Sequence, residues 1–125
     1  MAEILIVDDE DEVADVLAYI LEIDGHRVQT AGDGCEALER IARSPPDLVL
    51  TDLMMPRLDG YELCRTLRAH PAFERLPIVI MTAAPGPLEL DGCRVNDVLR
   101  KPFAAEVLLA AVGRALGENV QRSGA

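Results

Sequence analysis

Residues 48–52, Leu-Val-Leu-Thr-Asp, form a short run of strand-forming side chains that ends in a carboxylate. Other short apolar runs are followed by polar residues in the same way: Val7 by Asp8-Asp9, and Met81 by Thr82. Segments with the hydrophobic period of a helix separate these runs, and this alternation predicts a parallel sheet with crossover helices. Because an open α/β sheet binds ligands at the carboxyl ends of its strands, these polar groups are expected to meet at one rim.

The predicted fold class is α/β, a single open parallel five-stranded sheet with helices on both faces. The strands are expected at Glu3–Val7, Arg27–Thr30, Leu48–Thr51, Ile78–Met81 and Asp97–Leu99. The first helix carries an apolar stripe from Val13 to Leu21 and is expected to end at Gly25. Further helices are expected at about Cys35–Ala42, from near Asp59-Gly60, and at about Ala104–Leu116.

Residues 83–96 fit the alternation of strands and helices less well than the rest of the chain. The run Ala83-Ala84-Pro85-Gly86-Pro87 disfavours an immediate helix, which leaves at most two helical turns in Pro87–Cys93. A fourth helix is therefore expected to be short or irregular. Residues 1–117 are predicted to form the domain, and residues 118–125 a polar tail or linker.

The composition argues against several classes of function. A formal net charge of −10 opposes direct nucleic-acid binding, which requires clustered cationic side chains. No apolar run approaches the length of a bilayer span and no signal peptide is recognisable, so no membrane association is expected. Cys35, Cys64 and Cys93 lack the spacing of a metal site, and we expect them to be reduced thiols of a cytoplasmic protein.

Asp52 is the candidate nucleophile at the predicted rim. An ionised carboxylate can attack a phosphoryl group without a general base and form an aspartyl-phosphate. The charges of Asp8 and Asp9 would repel the phosphate unless a hard divalent cation such as Mg²⁺ lay among them. Lys101, the only lysine beside eleven arginines, suits a point contact to one phosphoryl oxygen, and Thr82 would donate a hydrogen bond to another.

With these residues identified, the chain resembles a response-regulator receiver domain of a two-component phosphorelay. The resemblance covers about residues 3–116 and rests on ILIVDDE (4–10), LVLTDLMMPRLDGYEL (48–63), PIVIMTA (77–83) and LRKPF (99–103). It implies the flavodoxin-like strand order 2-1-3-4-5 with five surrounding helices. It also implies a cis peptide bond between Lys101 and Pro102.

The resemblance further implies a role for each site residue. The Mg²⁺ site would be formed by the acidic pair Asp8 and Asp9, with Asp9 a direct ligand, by Asp52 and by the backbone carbonyl of Met54. Asp52 would accept the phosphoryl group, which Thr82 and Lys101 would contact. The donor would be a histidine kinase or a phosphotransfer protein, and the signal would pass to an unknown downstream protein or output domain. The chain would catalyse only its own phosphorylation and dephosphorylation.

Two departures from the family pattern concern the output. Receiver domains usually carry an aromatic residue three positions before the lysine, and here that position is Val98. The segment between Thr82 and Lys101 is also a few residues shorter than usual. The phosphorylation chemistry is therefore expected to be intact and its readout altered.

For each of three other classes of function, a particular feature of the sequence argues against the assignment. A haloacid-dehalogenase-type phosphatase needs a second aspartate two residues after Asp52, where Met54 stands. A flavodoxin needs a phosphate loop rich in Ser, Thr and Gly, where this chain has five consecutive acids at residues 8–12. A receiver-fold interaction module that works without phosphorylation is favoured by Val98 and by the short fourth-helix region, and is opposed by the complete set of acids, threonine and lysine.

Overall fold

The computed structural model describes residues 2–91 and 93–117 in full and the backbone of residues 118–124. The described residues form five strands and four α-helices. They are β1 (Glu3–Val7), α1 (Asp11–Ile23), β2 (Arg27–Ala31), α2 (Gly34–Arg43), β3 (Leu48–Asp52), α3 (Gly60–Ala69), β4 (Ile78–Thr82), β5 (Asp97–Arg100) and α4 (Ala105–Gly124). A short 3₁₀ turn, Pro71–Phe73, follows α3.

The strands pair in parallel in the order β2-β1-β3-β4-β5, which confirms the order that the resemblance implied. Four strands extend one residue beyond their predicted ends, because pairing in the parallel ladder continues that far. Asp52 pairs with Met81, and Thr82 pairs with Arg100. Asp52 and Thr82 are therefore the last residues of their strands.

The sheet is buried on both faces by aliphatic side chains. Ile4 and Ile6 of β1 face one core layer, which is closed by α1 and α4. Leu5 and Val7 face the opposite layer, which is closed by α2 and α3. Because both faces are covered, the central strands appear in the sequence as continuous apolar runs without polar alternation.

Helix α1 ends at the glycine that the sequence indicated. Gly25 adopts a φ of 96°, in the left-handed region, and its N–H donates to the Glu22 carbonyl. The N–H of His26 donates to the Leu21 carbonyl at 3.1 Å, which completes a Schellman motif. This sharp end directs the chain into β2.

The connection from β4 to β5 contains no helix within residues 83–91 and 93–96. The described residues therefore contain four of the five helices that the resemblance implied. Irregular backbone replaces the missing helix, which agrees with the expectation of at most two turns and with the proline and glycine content of the segment. Helix α4 continues to Gly124, past the predicted end near Leu116. Within the predicted tail at 118–125, the structure describes only the backbone of residues 118–124, and residue 125 lies outside the described part. The boundary at residue 117 therefore stays a prediction.

The cysteines require a correction. Cys64 of α3 and Cys93 of the β4–β5 connection are joined by a disulfide, with Cα atoms 5.9 Å apart. The expectation of three reduced thiols is therefore wrong for this pair, whereas Cys35 is a free, exposed thiol. The tertiary fold brings together two residues that are 29 positions apart, and their spacing in the sequence gives no sign of it.

Among the described residues, no helix combines the length and the hydropathy needed to cross a bilayer.

Candidate functional site

The residues predicted to share one rim do converge. The Lys101 ammonium lies 3.2 Å from Asp8 Oδ2 and 3.6 Å from Asp52 Oδ1. Asp8 is 1% exposed and Asp52 is 7% exposed, so both carboxylates are largely withdrawn from water. One cation is therefore shared between two buried anions.

Asp52 is positioned by its own backbone and by the start of α3. The N–H of Leu53 donates to Asp52 Oδ1 at 3.0 Å, and the N–H of Gly60 donates to the Leu53 carbonyl at 2.9 Å. A Cβ atom at Gly60 would lie only 2.4 Å from the Asp52 carbonyl oxygen. Only glycine therefore allows α3 to begin so close to the end of β3.

Three carboxylates form a candidate metal centre. One oxygen from each of Asp8, Asp9 and Asp52 lies within 4.8 Å of the others. Asp8 also accepts a hydrogen bond from the Glu10 N–H at 2.9 Å, while Asp9 is exposed at the mouth of the cluster. Such hard oxygen donors, with more negative charge than Lys101 alone can balance, fit a hard divalent cation.

Met54 lies in the loop that follows Asp52. Met54 is 67% exposed, so its backbone and its apolar side chain both lie at the surface of the rim. The resemblance assigns the carbonyl of Met54 as a metal ligand, and that assignment stays a prediction.

Burial and neighbouring charge shift the ionisation of the two central groups. Burial raises the pKa of Asp52, the Lys101 ammonium opposes this shift, and the Asp8 carboxylate adds to it. Burial opposes the charge on Lys101, but the attraction of Asp52 and Asp8 outweighs it and raises the pKa of the ammonium. Lys101 is therefore held as a cation.

Thr82 is completely buried at the end of β4. Its Oγ1 accepts a hydrogen bond from the Ala84 N–H at 3.0 Å, and its carbonyl accepts one from the Lys101 N–H at 2.8 Å. The peptide bond between Lys101 and Pro102 is cis, as the resemblance implied. The backbones of Thr82 and Lys101 are thus held together beside the carboxylates.

The loop after Asp52 is tied to α2 by contacts that the sequence did not reveal. Arg57, which adopts a left-handed φ of 66°, forms an ion pair with Asp33. The Asp33 carboxylate also caps α2 by accepting from the Glu36 N–H at 2.9 Å. The pKa of Asp33 is lowered, first by the backbone hydrogen bond from Glu36 and then by Arg57. The ion pair therefore links the rim loop to a helix terminus.

The segment after Thr82 is also held from β5. Arg100 donates to the Ala84 carbonyl at 2.7 Å. Val98, in the position where an aromatic residue is usual, is partly buried and packs against the core layer closed by α2 and α3. The sequence does not indicate the contact of Arg100, because a surface arginine beside a lysine carries no signal of its partner.

A family model for the response regulator receiver domain matches residues 4–113. Over 113 residues the chain is 47% identical to the response regulator MprA of Mycobacterium leprae, and the match covers 87% of this chain and 48% of that protein. The chain thus spans about half the length of this relative.

Solved structures agree with this match. The signal receiver domain of a signal transduction histidine kinase from Syntrophus aciditrophicus superposes with a TM-score of 0.88 at 34% identity, covering 94% of this chain and 92% of that one. The chemotaxis response regulator CheY4 of Vibrio cholerae superposes with a TM-score of 0.85 at 30% identity, covering 92% and 98% of the two chains. Both similarities extend over nearly the whole fold.

Proposed function

This chain belongs to the family of response regulator receiver domains, and we propose that it works as a phosphoacceptor switch whose nucleophile is Asp52. The observation that carries the proposal is the single Lys101 ammonium shared by two buried carboxylates, 3.2 Å from Asp8 and 3.6 Å from Asp52. The buried carboxylate of Asp52 can serve as the nucleophile, and the ammonium beside it can neutralise a phosphoryl oxygen once a cation offsets the negative charge of the acidic cluster.

In the proposed reaction, one Asp52 oxygen bonds to phosphorus while the bond from phosphorus to the donor breaks. The donor is a phosphohistidine imidazole of a histidine kinase or phosphotransfer protein, or a small acyl phosphate. The Leu53 N–H holds Oδ1 of Asp52 at 3.0 Å and fixes the direction of the carboxylate. Lys101 then neutralises a phosphoryl oxygen, and the Thr82 hydroxyl, whose oxygen accepts from the Ala84 N–H, donates its proton to another phosphoryl oxygen.

Mg²⁺ is the cation that we propose for the acidic cluster, held by Asp8, Asp9, Asp52 and the Met54 carbonyl. When bound, it supplies charge neutralisation that lets the phosphoryl group approach Asp52. Asp8 is fixed for this role by the Glu10 N–H and by Lys101. Asp9 is exposed and contributes the ligand nearest to solvent.

The proposed setting is a cytoplasmic two-component pathway. The chain acts on no substrate other than its own Asp52, and it passes a conformational change to a downstream protein or output domain. The matched relative is about twice as long as this chain. The activity of the whole protein and the identity of its partners are therefore proposed as well.

Phosphorylation at Asp52 can be tested by intact mass measurement after incubation with acetyl phosphate. We expect the mass of one phosphoryl group on the wild type in the presence of Mg²⁺, and none on Asp52→Asn or after chelation with EDTA. Asp91→Asn, an exposed aspartate outside the cluster, is the matched control and should label like the wild type. Equal labelling of wild type and Asp52→Asn would show that Asp52 is not the acceptor.

A second candidate function is a receiver-fold interaction module that works without phosphorylation. Val98 and the absence of a helix in the described part of residues 83–96 favour it. Hydrogen exchange separates the two candidates: a change across residues 83–96 on phosphorylation of Asp52 supports a switch, whereas unchanged exchange in fully phosphorylated protein favours the module.

A further inference from the structure

The disulfide between Cys64 and Cys93 joins two functional regions of the fold. Its Cα separation of 5.9 Å lies at the centre of the range for disulfides. Cys64 belongs to α3, which begins directly behind Asp52, and Cys93 belongs to the connection that begins directly after Thr82. The bond therefore links the helix behind the phosphoacceptor to the segment that follows the site threonine.

This bond lies within a longer stripe of contacts on α3. Tyr61, Cys64 and Arg68 are spaced i, i+3 and i+7, so they face one side of the helix. The Tyr61 hydroxyl donates to the Asp91 carbonyl at 2.6 Å, and Arg68 Nε donates to the Arg94 carbonyl at 2.8 Å. The described part of the β4–β5 connection, which forms no helix, is thus held in place by α3.

The two cysteines differ slightly in their burial. Cys64 is completely buried, whereas Cys93 is 8% exposed. Cys93 lines a surface cleft of about 500 Å³, together with Arg68, Glu74, Leu90, Asp91 and Arg94. Because Cys93 borders this cleft and Cys64 is completely buried, we expect an incoming thiolate to attack the Cys93 sulfur, with Cys64 as the leaving group.

We propose that Cys64 and Cys93 form a reversible redox site that fixes the β4–β5 connection when oxidised and releases it when reduced. In the reductive direction, a dithiol attacks Cys93, forms a mixed disulfide and expels the Cys64 thiolate. The second thiol of the reductant then displaces Cys93. Two electrons pass to the protein, two protons end on the cysteines and the dithiol becomes a disulfide; a small-molecule disulfide reverses the exchange.

The β4–β5 connection is held at both of its ends. At its start, Ala84 is held by the Thr82 hydroxyl and by Arg100. At its far end, the disulfide adds a covalent anchor to the hydrogen bonds from Tyr61 and Arg68. Reduction removes the covalent anchor alone. The redox state of the disulfide therefore sets how far the β4–β5 connection can move when the contacts of Thr82 change. Disulfides in reducing compartments are commonly transient and redox-sensing, which agrees with this role.

The first test counts thiols in the denatured protein by alkylation and mass spectrometry. After equilibration with oxidised glutathione, we expect Cys64 and Cys93 to resist alkylation without carrying glutathione, while Cys35 is either alkylated or carries one glutathione. After dithiothreitol we expect three alkylated cysteines. Three alkylated cysteines in the oxidised sample would overturn the proposal.

The second test measures hydrogen exchange in both redox states. We expect amides in residues 83–96 to exchange about tenfold faster after reduction, because local opening no longer strains against a crosslink. The double variant Cys64→Ala, Cys93→Ala should match reduced wild type in oxidising buffer, and Cys35→Ala should match wild type in both states. Equal exchange in oxidised and reduced wild type would refute the proposal even if the variants fail to fold. Neither test involves phosphorylation, so a negative result leaves the proposed function standing.

Discussion

Lys101 Nζ donates a hydrogen bond to Asp8 Oδ2 at 3.2 Å, although the two residues are 93 positions apart. Lys101 follows β5 and Asp8 follows β1, and two strands, β3 and β4, separate these strands in the sheet. Neighbouring strands lie about 4.8 Å apart, so the lysine must extend along the rim across the ends of both. On the way, its ammonium passes Asp52 at 3.6 Å. This one side chain therefore connects both ends of the site.

Replacing Lys101 with Ala should lower both stability and phosphoryl transfer. It leaves two buried carboxylates without their cation, and we expect a loss of about 1–3 kcal/mol in the free energy of unfolding in metal-free buffer. The rate of labelling by acetyl phosphate should fall at least about tenfold. Urea titration and time-resolved mass measurement give the two quantities. Arg43→Ala, a cation at the exposed end of α2, should leave both nearly unchanged.

Asp52→Asn should stabilise the metal-free protein near pH 7. The pKa of Asp52 is raised in the folded state above its ordinary value of 3.8, chiefly by burial. A raised pKa means that this group favours folding below its unfolded pKa and loses that contribution as the pH rises through its folded pKa. The advantage of Asn should therefore shrink as the pH falls toward 4. Thermal melts with EDTA would measure it, and a wild type more stable than the variant near pH 7 would contradict the sign.

Gly60→Ala should be destabilising, because the new methyl group would lie 2.4 Å from the Asp52 carbonyl oxygen. Moving α3 away from β3 is expected to cost about 1–3 kcal/mol and to slow phosphorylation of Asp52. Gly113→Ala is the matched control, since a methyl group there has nothing within 4 Å on α4. That change should stabilise by up to about 1 kcal/mol. Similar effects of the two substitutions would show that the close approach at Gly60 has no consequence.

Reduction of the Cys64–Cys93 disulfide should lower stability without unfolding the domain. The bond closes a loop over a separation of 29 residues, and the loss of that crosslink from the unfolded chain corresponds to about 3–4 kcal/mol. Denaturant titration with and without dithiothreitol measures the difference. The variant Cys64→Ala, Cys93→Ala should show no dependence on dithiothreitol, and an equal response of that variant would point to an effect unrelated to the bond.

The phosphorylated form should be long-lived for this fold. Met54 and Ala84 occupy the positions two residues after Asp52 and Thr82, and neither side chain can orient an attacking water by a strong hydrogen bond. Met54 is also 67% exposed, and we expect its apolar side chain to shield the phosphoryl group from solvent. The double variant Met54→Asn, Ala84→Glu should lose phosphate faster after donor removal at constant Mg²⁺. A wild type that decays as fast as the variant would show that these side chains do not limit hydrolysis.

The amino-acid sequence is sufficient to predict the fold class, the strands to within one residue and the polar groups at one rim. It is sufficient because parallel strands covered on both faces read as continuous apolar runs, so that their carboxyl ends are marked by the first polar residue. The ILIVDDE and LVLTD motifs carry this information within single short segments, and their pattern does not depend on distant contacts.

Only the tertiary structure decided which distant groups touch. The pairing of Cys64 with Cys93, of Arg57 with Asp33 and of Arg100 with the Ala84 carbonyl depends on how helices and loops pack. The arginines and Asp33 are common polar residues, the two cysteines are buried and widely spaced, and the Ala84 carbonyl is a backbone atom. None of these groups has a periodicity that marks its partner in advance. The burial of Asp52 is of the same kind: the sequence supplied the carboxylate, and the packing of the surrounding elements set the low-polarity environment that raises its pKa.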